Sequence, residues 1–152
     1  ANGATACVLS GRLHVVGGLF CNKLQVLEMS EENEFTWTVK ADLPDMRCYA
    51  ASAAIDGKLW LMGGNNANDE ENDGYTSVLI YDPEGDTWAT GPSLPNGSEY
   101  GCATMHDGEL HSTNREPGQD RTCHCVYRNG AWQEAAGTPP GLGRSLGSLL
   151  LG

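Results

Sequence analysis

Three copies of one pattern run along this 152-residue chain: a glycine-closed apolar strand, a second apolar strand, a tryptophan, then a proline-marked segment. The first copy reads Gly11-Arg12-Leu13-His14-Val15-Val16-Gly17-Gly18, Leu24 to Met29, Trp37, then Leu43-Pro44 and Arg47. The second reads Gly57-Lys58-Leu59-Trp60-Leu61-Met62-Gly63-Gly64, Val78 to Pro83, Trp88 and Leu94-Pro95. A third, more eroded, keeps Asp107-Gly108, Leu110, Tyr127, Trp132 and Pro139-Pro140 but lacks the double glycine. Leu13, Leu59 and Leu110 are 46 and 51 residues apart, and Trp37, Trp88 and Trp132 are 51 and 44 apart. A period that wanders while its order holds describes one structural unit with loops of variable length, and a repeat of this kind decides the fold.

Each unit holds four short candidate strands, near 4–9, 12–17, 23–28 and 35–40 in the first copy, separated by glycine, asparagine and aspartate. Helical periodicity is absent. Inner strands such as Leu59-Trp60-Leu61-Met62 are apolar on both faces, which in an antiparallel sheet requires cover on both sides. Ser10-Gly11, Asp56-Gly57 and Asp107-Gly108 stand where a tight hairpin needs positive φ.

These residues resemble the kelch repeat, whose family fold is the β-propeller with one four-stranded blade per repeat. The Gly-Gly pairs, Tyr81-Asp82-Pro83 before Trp88 and Leu94-Pro95 after it make the second copy the strongest match. A WD repeat would want aspartate after tryptophan, and here Thr38, Ala89 and Gln133 follow. The resemblance implies an all-β chain of kelch-type propeller blades, four-stranded antiparallel sheets leaning on one another with tryptophans wedged in the seams. The expected blades span about 1–47, 48–97 and 98–141, with one strand of a fourth near 144–151. Rings close with about four to eight blades, so three make an incomplete ring. Its completion is expected from further chain or from self-association.

Composition narrows the partners. A formal charge of -11 with scattered lysine and arginine disfavours nucleic acid and anionic membranes. The apolar stretch Leu146 to Leu151 is far short of the ~20 residues a helical span needs. With no visible secretory signal, the expected compartment is the cytoplasm. Six cysteines are too few for a disulfide scaffold. Cys7 aligns with Ala53 and Thr104, and Cys102 with Thr5 and Ala51, so both read as small strand residues.

Cys123-His124-Cys125 on a strand puts the two thiols on one face and the imidazole on the other, which does not make a zinc site. The run Asp69-Glu70-Glu71-Asn72-Asp73-Gly74 imitates the start of a calcium loop. Its twelfth position is Ile80, so it reads as a solvated acidic loop. His14 and His111 occupy the place of Trp60 and read as packed strand residues. No catalytic residues, metal or cofactor are expected.

The loop joining the second and third strands of a blade opens on the same side as the linker to the next blade. One face therefore collects residues 19–23, 65–75 and 114–121 with linkers 45–49, 96–100 and 141–144. The candidate partner-binding residues on it are Arg47, Tyr49, Asp69, Glu70, Glu71, Asp73, Tyr75, Tyr100, Arg115, Arg121 and Arg144. Arg47 and Arg144 equally suit the arginine that braces neighbouring kelch blades. The resemblance implies a non-enzymatic protein-binding scaffold, its second unit looking most like those of substrate adaptors for cullin-based ubiquitin ligases. Cytoskeletal (actin) binding and a structural subunit of a large assembly are alternatives, with a propeller-based metal-dependent oxidase or small-molecule lyase behind them.

Overall fold

The computed structural model describes residues 2–68, 73–119 and 121–136. They form twelve strands in three four-stranded antiparallel sheets, each built from one sequence unit in chain order. The first sheet holds β1 (Thr5–Leu9), β2 (Arg12–Val16), β3 (Leu24–Met29) and β4 (Phe35–Val39). The second holds β5 (Ala51–Ile55), β6 (Lys58–Met62), β7 (Val78–Asp82) and β8 (Thr87–Gly91). The third holds β9 (Glu99–His106), β10 (Glu109–Arg115), β11 (Thr122–Arg128) and β12 (Ala131–Glu134). The expected extra strand near 144–151 lies outside the described residues.

The sheets stack without closing. Contact between them runs chiefly through their first strands, β1 with β5 and β5 with β9, so these lie innermost and the fourth strands outermost. The Thr5 and Ser52 hydroxyls share a hydrogen bond of 2.8 Å across the first of these contacts.

Both faces of β6 are covered, as its composition demands. Leu59 and Leu61, with Leu79 and Tyr81 beside them, pack against Leu9, Val16 and Leu24 of the first sheet. Trp60 and Met62 face the other way with Val78 and Ala53, against Leu110, Cys125 and Trp132. Each fully buried side chain of this kind contributes about 1.5–3 kcal/mol, so the two seams are the principal favourable term in the fold. Leu43 and Leu94, from the two Leu-Pro segments, plug one seam each. Trp88 packs at the first seam and donates its indole N–H to the Ala41 carbonyl at 3.0 Å, while Trp132 is buried in the second. Trp37 departs from the expected pattern at 52% exposed, because no described sheet lies on its side of the first blade.

The three hairpins between first and second strands turn at Ser10-Gly11, Asp56-Gly57 and Asp107-Gly108, all six residues at positive φ. This pairing of left-handed residues matches the right-handed twist of the strands. The double glycines do something different. At Gly17 and Gly63 a Cβ would lie 2.2 Å from the Arg47 carbonyl oxygen and 2.8 Å from that of Ser98. The following amides, Gly18 and Gly64, donate to those same carbonyls at 2.7 Å. The glycines thus let the linker to the next blade lie directly on the loop. The third unit, with Asn114-Arg115 in their place, instead prolongs the β10–β11 hairpin to seven residues per strand, and β10 shifts register against β9 between Thr113 and Arg115.

Gly63→Ala combines φ of +62° with this backbone clash and is expected to cost about 3 kcal/mol. Gly57→Ala meets strain alone, with nothing within 4 Å, and should cost about 1 kcal/mol. Urea denaturation of the two variants checks the difference.

Candidate functional site

The long loops and linkers meet at one end of the stacked sheets. Cys48 and Asn65 exchange backbone hydrogen bonds at 2.9 Å, and Tyr75 and Ser98 form a second isolated bridge. The first linker is thereby stitched to the β6–β7 loop, and that loop to the second linker. The Asp-Gly turns lie at the opposite ends of the inner strands.

Arg47 is 2% exposed. Its guanidinium donates to the Gly63 and Ser77 carbonyls at 2.9 Å and to the Ser77 hydroxyl at 2.5 Å. It also lies 4.4 Å from the centre of the Tyr75 ring, which covers that ring's face. Burial holds its pKa below the ordinary arginine value, opposed by Asp45. All this engages the second blade, so Arg47 acts as the brace between blades.

Tyr49 and Tyr100 hold equivalent places just ahead of β5 and within the start of β9. Both have positive φ, 58° and 49°, a conformation costly for a bulky residue. Their rings lie 4.4 Å apart, half-buried on the loop face. Burial and then Glu99 raise the Tyr100 pKa, which keeps the phenol protonated.

Beneath them runs a polar chain that composition did not reveal. The Cys48 thiol donates to Asn65 Oδ1 at 2.7 Å, Asn65 Nδ2 donates to Glu99 Oε2 at 2.8 Å, and Arg115 Nη1 reaches Glu99 Oε1 at 3.4 Å. Cys48, Asn65 and Glu99 are buried, and Arg115 is half-exposed at the mouth. Arg121 sits further out, paired with Glu116 at 3.4 Å and with Glu134. Asp73 is exposed on the β6–β7 loop. Asp69, Glu70, Glu71 and Arg144 lie outside the described residues. The structure therefore brings Tyr49, Tyr100 and Arg115 together and turns Arg47 inward with Tyr75 beneath it.

Apart from Cys48, the thiols and imidazoles discussed above lie elsewhere. All six cysteines are free, and burial pushes Cys7 and Cys125 up to about 11 and, with Glu116, Cys123 to about 12. Cys123 and Cys125 are buried on one face of β11, while His124 lies on the other, 2.9 Å from His111. His14 is buried, its Nδ1 within 3.0 Å of the Arg12 carbonyl, and its ring is 6.5 Å from that of Tyr81. Among the described residues no three histidine, cysteine or carboxylate side chains converge as a metal site would require.

The Kelch motif family matches residues 46–95, a span from the first linker through the second sheet to Leu94-Pro95. The chain is a kelch-repeat protein. It is similar to the kelch-like protein terF of Aspergillus terreus, 41% identical over 69 residues that make up 45% of this chain and 15% of that protein. Alpha-scruin of Limulus polyphemus is 35% identical over 81 residues, 53% of this chain and 9% of the relative. Human kelch-like protein 33 is 31% identical over 110 residues, 70% of this chain and 20% of the relative. The kelch chain thus spans a fifth or less of the length of these three relatives. Against the solved structure of YjhT it superposes with a TM-score of 0.74 at 18% identity, over 91% of this chain and 52% of that one.

Two outcomes follow from the geometry. Arg47→Met relieves the burial of a charge but strands the Gly63 and Ser77 carbonyls; the unpaired carbonyls dominate, for an expected loss of about 3 kcal/mol in chemical denaturation. Burial first, then His124 and His106, hold His111 below its ordinary pKa, with Glu109 opposing. The unfolded chain then binds more protons, so this contribution to stability is present above the ordinary value of 6.5 and declines as pH falls below it. His111→Phe should flatten the fall in melting temperature between pH 7 and 5.

Proposed function

We propose that this kelch chain is a protein-recognition scaffold whose ligand surface is the loop face, with Tyr49, Tyr100 and Arg115 at its centre. The observation that carries the reading is the tyrosine pair: two bulky residues held at positive φ, their rings packed together at a tilt of 32° and half-exposed on the end where the irregular segments gather. Strained backbone of this kind clusters at binding sites, and tyrosine and arginine are the side chains that most often anchor a protein partner. The polar chain from Cys48 to Glu99 holds Arg115 from below, so the anchor group is preorganised.

The charge supports the same choice. At -11 the chain repels phosphate backbones and anionic lipid, leaving polypeptide as the favoured ligand and Arg115 as a contact for its carboxylates. Within this reading the chain serves in the cytoplasm as a non-enzymatic substrate adaptor or as a structural subunit. Relatives named scruin and F-box protein make both roles reasonable by analogy alone.

Selection of displayed peptides on the immobilised chain tests the proposal. Tyr100→Ala and Arg115→Ala should each weaken the selected peptides about thirtyfold, the effect of losing a 2 kcal/mol anchor. Asp56→Lys, at the opposite end, should leave binding unchanged. Equal losses at both ends, or selected peptides indifferent to Tyr100 and Arg115, would refute it.

A further inference from the structure

Asparagine is followed by glycine at Asn2-Gly3, Asn96-Gly97 and Asn129-Gly130. At such a pair the side-chain carbonyl carbon is open to attack by the next backbone nitrogen, because glycine has no Cβ to shield it. The fold treats the pairs differently. Asn129 and Gly130 form the two-residue turn between β11 and β12, both at positive φ, with Arg128 and Ala131 paired on either side. That is a locked hairpin turn. Asn2-Gly3 is held by its own backbone, since the Asn2 carbonyl accepts from Leu19 and the Gly3 carbonyl from Tyr49. Asn96 has neither restraint. It is half-exposed in the second linker, and among the described residues neither its side-chain amide nor the Gly97 N–H finds a hydrogen-bond partner.

The linker around Asn96 is stretched between fixed points. Upstream, the Leu94 amide donates to the Thr76 carbonyl at 2.8 Å, and the Leu94 side chain is buried in the second seam. Downstream, Ser98 is buried, bridged to Tyr75, and its carbonyl accepts from Gly64 at 2.7 Å. Pro95, Asn96 and Gly97 span the interval, and they cross the β6–β7 loop in contact with it. A Cβ on Gly97 would lie 2.1 Å from the Asp73 carbonyl oxygen. Glu99 and Tyr100 follow directly in the chain. A segment anchored so closely on both sides has no slack to absorb additional backbone.

We propose that Asn96 is a site of spontaneous modification, at which loss of the side-chain amide lengthens the second linker and loosens its hold on the β6–β7 loop. The Gly97 nitrogen gives up its proton to solvent base and bonds to Asn96 Cγ, closing a five-membered succinimide. The bond from Cγ to the side-chain nitrogen breaks, and that nitrogen leaves as ammonia. Water then opens the ring. Attack at Cγ gives aspartate, and attack at the backbone carbonyl carbon gives isoaspartate, whose main chain runs through the former side chain and is longer by a methylene. The sum is amide plus water to carboxylate plus ammonium, with no change of oxidation state. Either product adds a negative charge where the linker crosses Asp73, on a chain already at -11. Isoaspartate alone lengthens the span from Leu94 to Ser98. The site is independent of the loop-face reading, since it concerns the linker and not what the face binds.

Ageing the folded chain in warm, mildly alkaline buffer and mapping its peptides by mass tests this. The Asn96 peptide is expected to gain the amide-to-acid mass difference about tenfold faster than the Asn129 peptide, because ring closure at Asn129 must first undo the hairpin turn. The aged chain should also become a methyl acceptor for an isoaspartyl methyltransferase. Hydrogen exchange at the Gly64 amide, which donates to Ser98, should quicken in the isoaspartate form. Asn96→Gln, whose longer side chain disfavours the ring, should stay unmodified at that position and keep the exchange of fresh protein after ageing. In urea the pairs should convert at similar rates. Conversion at Asn2 or Asn129 ahead of Asn96 in the folded chain would overturn the proposal, as would a lead for Asn96 that persists undiminished in urea. An isoaspartate form whose Gly64 exchange matches that of fresh protein would overturn the effect on the linker.

Discussion

Apolar side chains on both faces of the inner strands are the constraint from which the rest follows. A four-stranded antiparallel sheet buries one face against one neighbour, and a strand such as β6 has two faces to bury. Radial stacking meets that demand with a single repeated unit. The forward face of one sheet becomes the cover of the next, and the same Leu-aromatic-Trp row recurs at each seam. The cost is that every stack has two terminal faces, and their chemistry differs here. The first sheet ends in a bare apolar row, whereas the third sheet's outer face carries His106, His111 and His124 in edge or stacked contact.

Stacking alone would leave the sheets free to slide. The linkers fix their spacing, and they do so through backbone groups. At Gly17-Gly18 and Gly63-Gly64 the absent side chains admit the next linker to hydrogen-bonding distance, and Arg47 then pins the carbonyls of Gly63 and Ser77 from the other side. A buried guanidinium is a costly device, yet its planar fork satisfies several acceptors at once where lysine would act as a point charge. It also holds the β6–β7 loop at its root, while the loop's Asp73 remains in solvent.

Much of this was legible in the residues because it is local. Asp-Gly at a hairpin, the unbroken apolar run Leu59-Trp60-Leu61-Met62 and the order of motifs around each tryptophan each express a rule that acts within a few positions, and the observed strands of the first unit fall within one or two residues of those expected. Arg47 could be read either as a partner contact or as a brace, since its acceptors lie 16 and 30 residues away and are backbone carbonyls, which no residue type advertises. Tyr75 looked like an anchor for the same reason: nothing in its neighbours shows that Arg47 will cover its ring. The positive φ of Tyr49 and Tyr100 was likewise hidden, because tyrosine carries no signal for a left-handed backbone. Only the equivalent placing of the two, each ten residues before the repeat's recurring leucine, Leu59 or Leu110, hinted at a shared constraint.

The third unit shows what happens when the repeat's own rules lapse. Without the double glycine, β10 and β11 pair two residues further than β6 and β7 in unbroken register, while on its other side β10 shifts register against β9 near Asn114. That extension carries Arg115 outward on a strand, where Glu99 of the adjacent strand can hold it, while Asn114 turns inward to accept from the Ser112 hydroxyl at 3.1 Å. A side chain on a paired strand is more rigidly placed than one on a glycine loop. At this blade a longer strand pair thus stands where the other two have a tight Gly-Gly crossing, and it holds its cation beside the paired tyrosines, where a preorganised charge has the most to contribute.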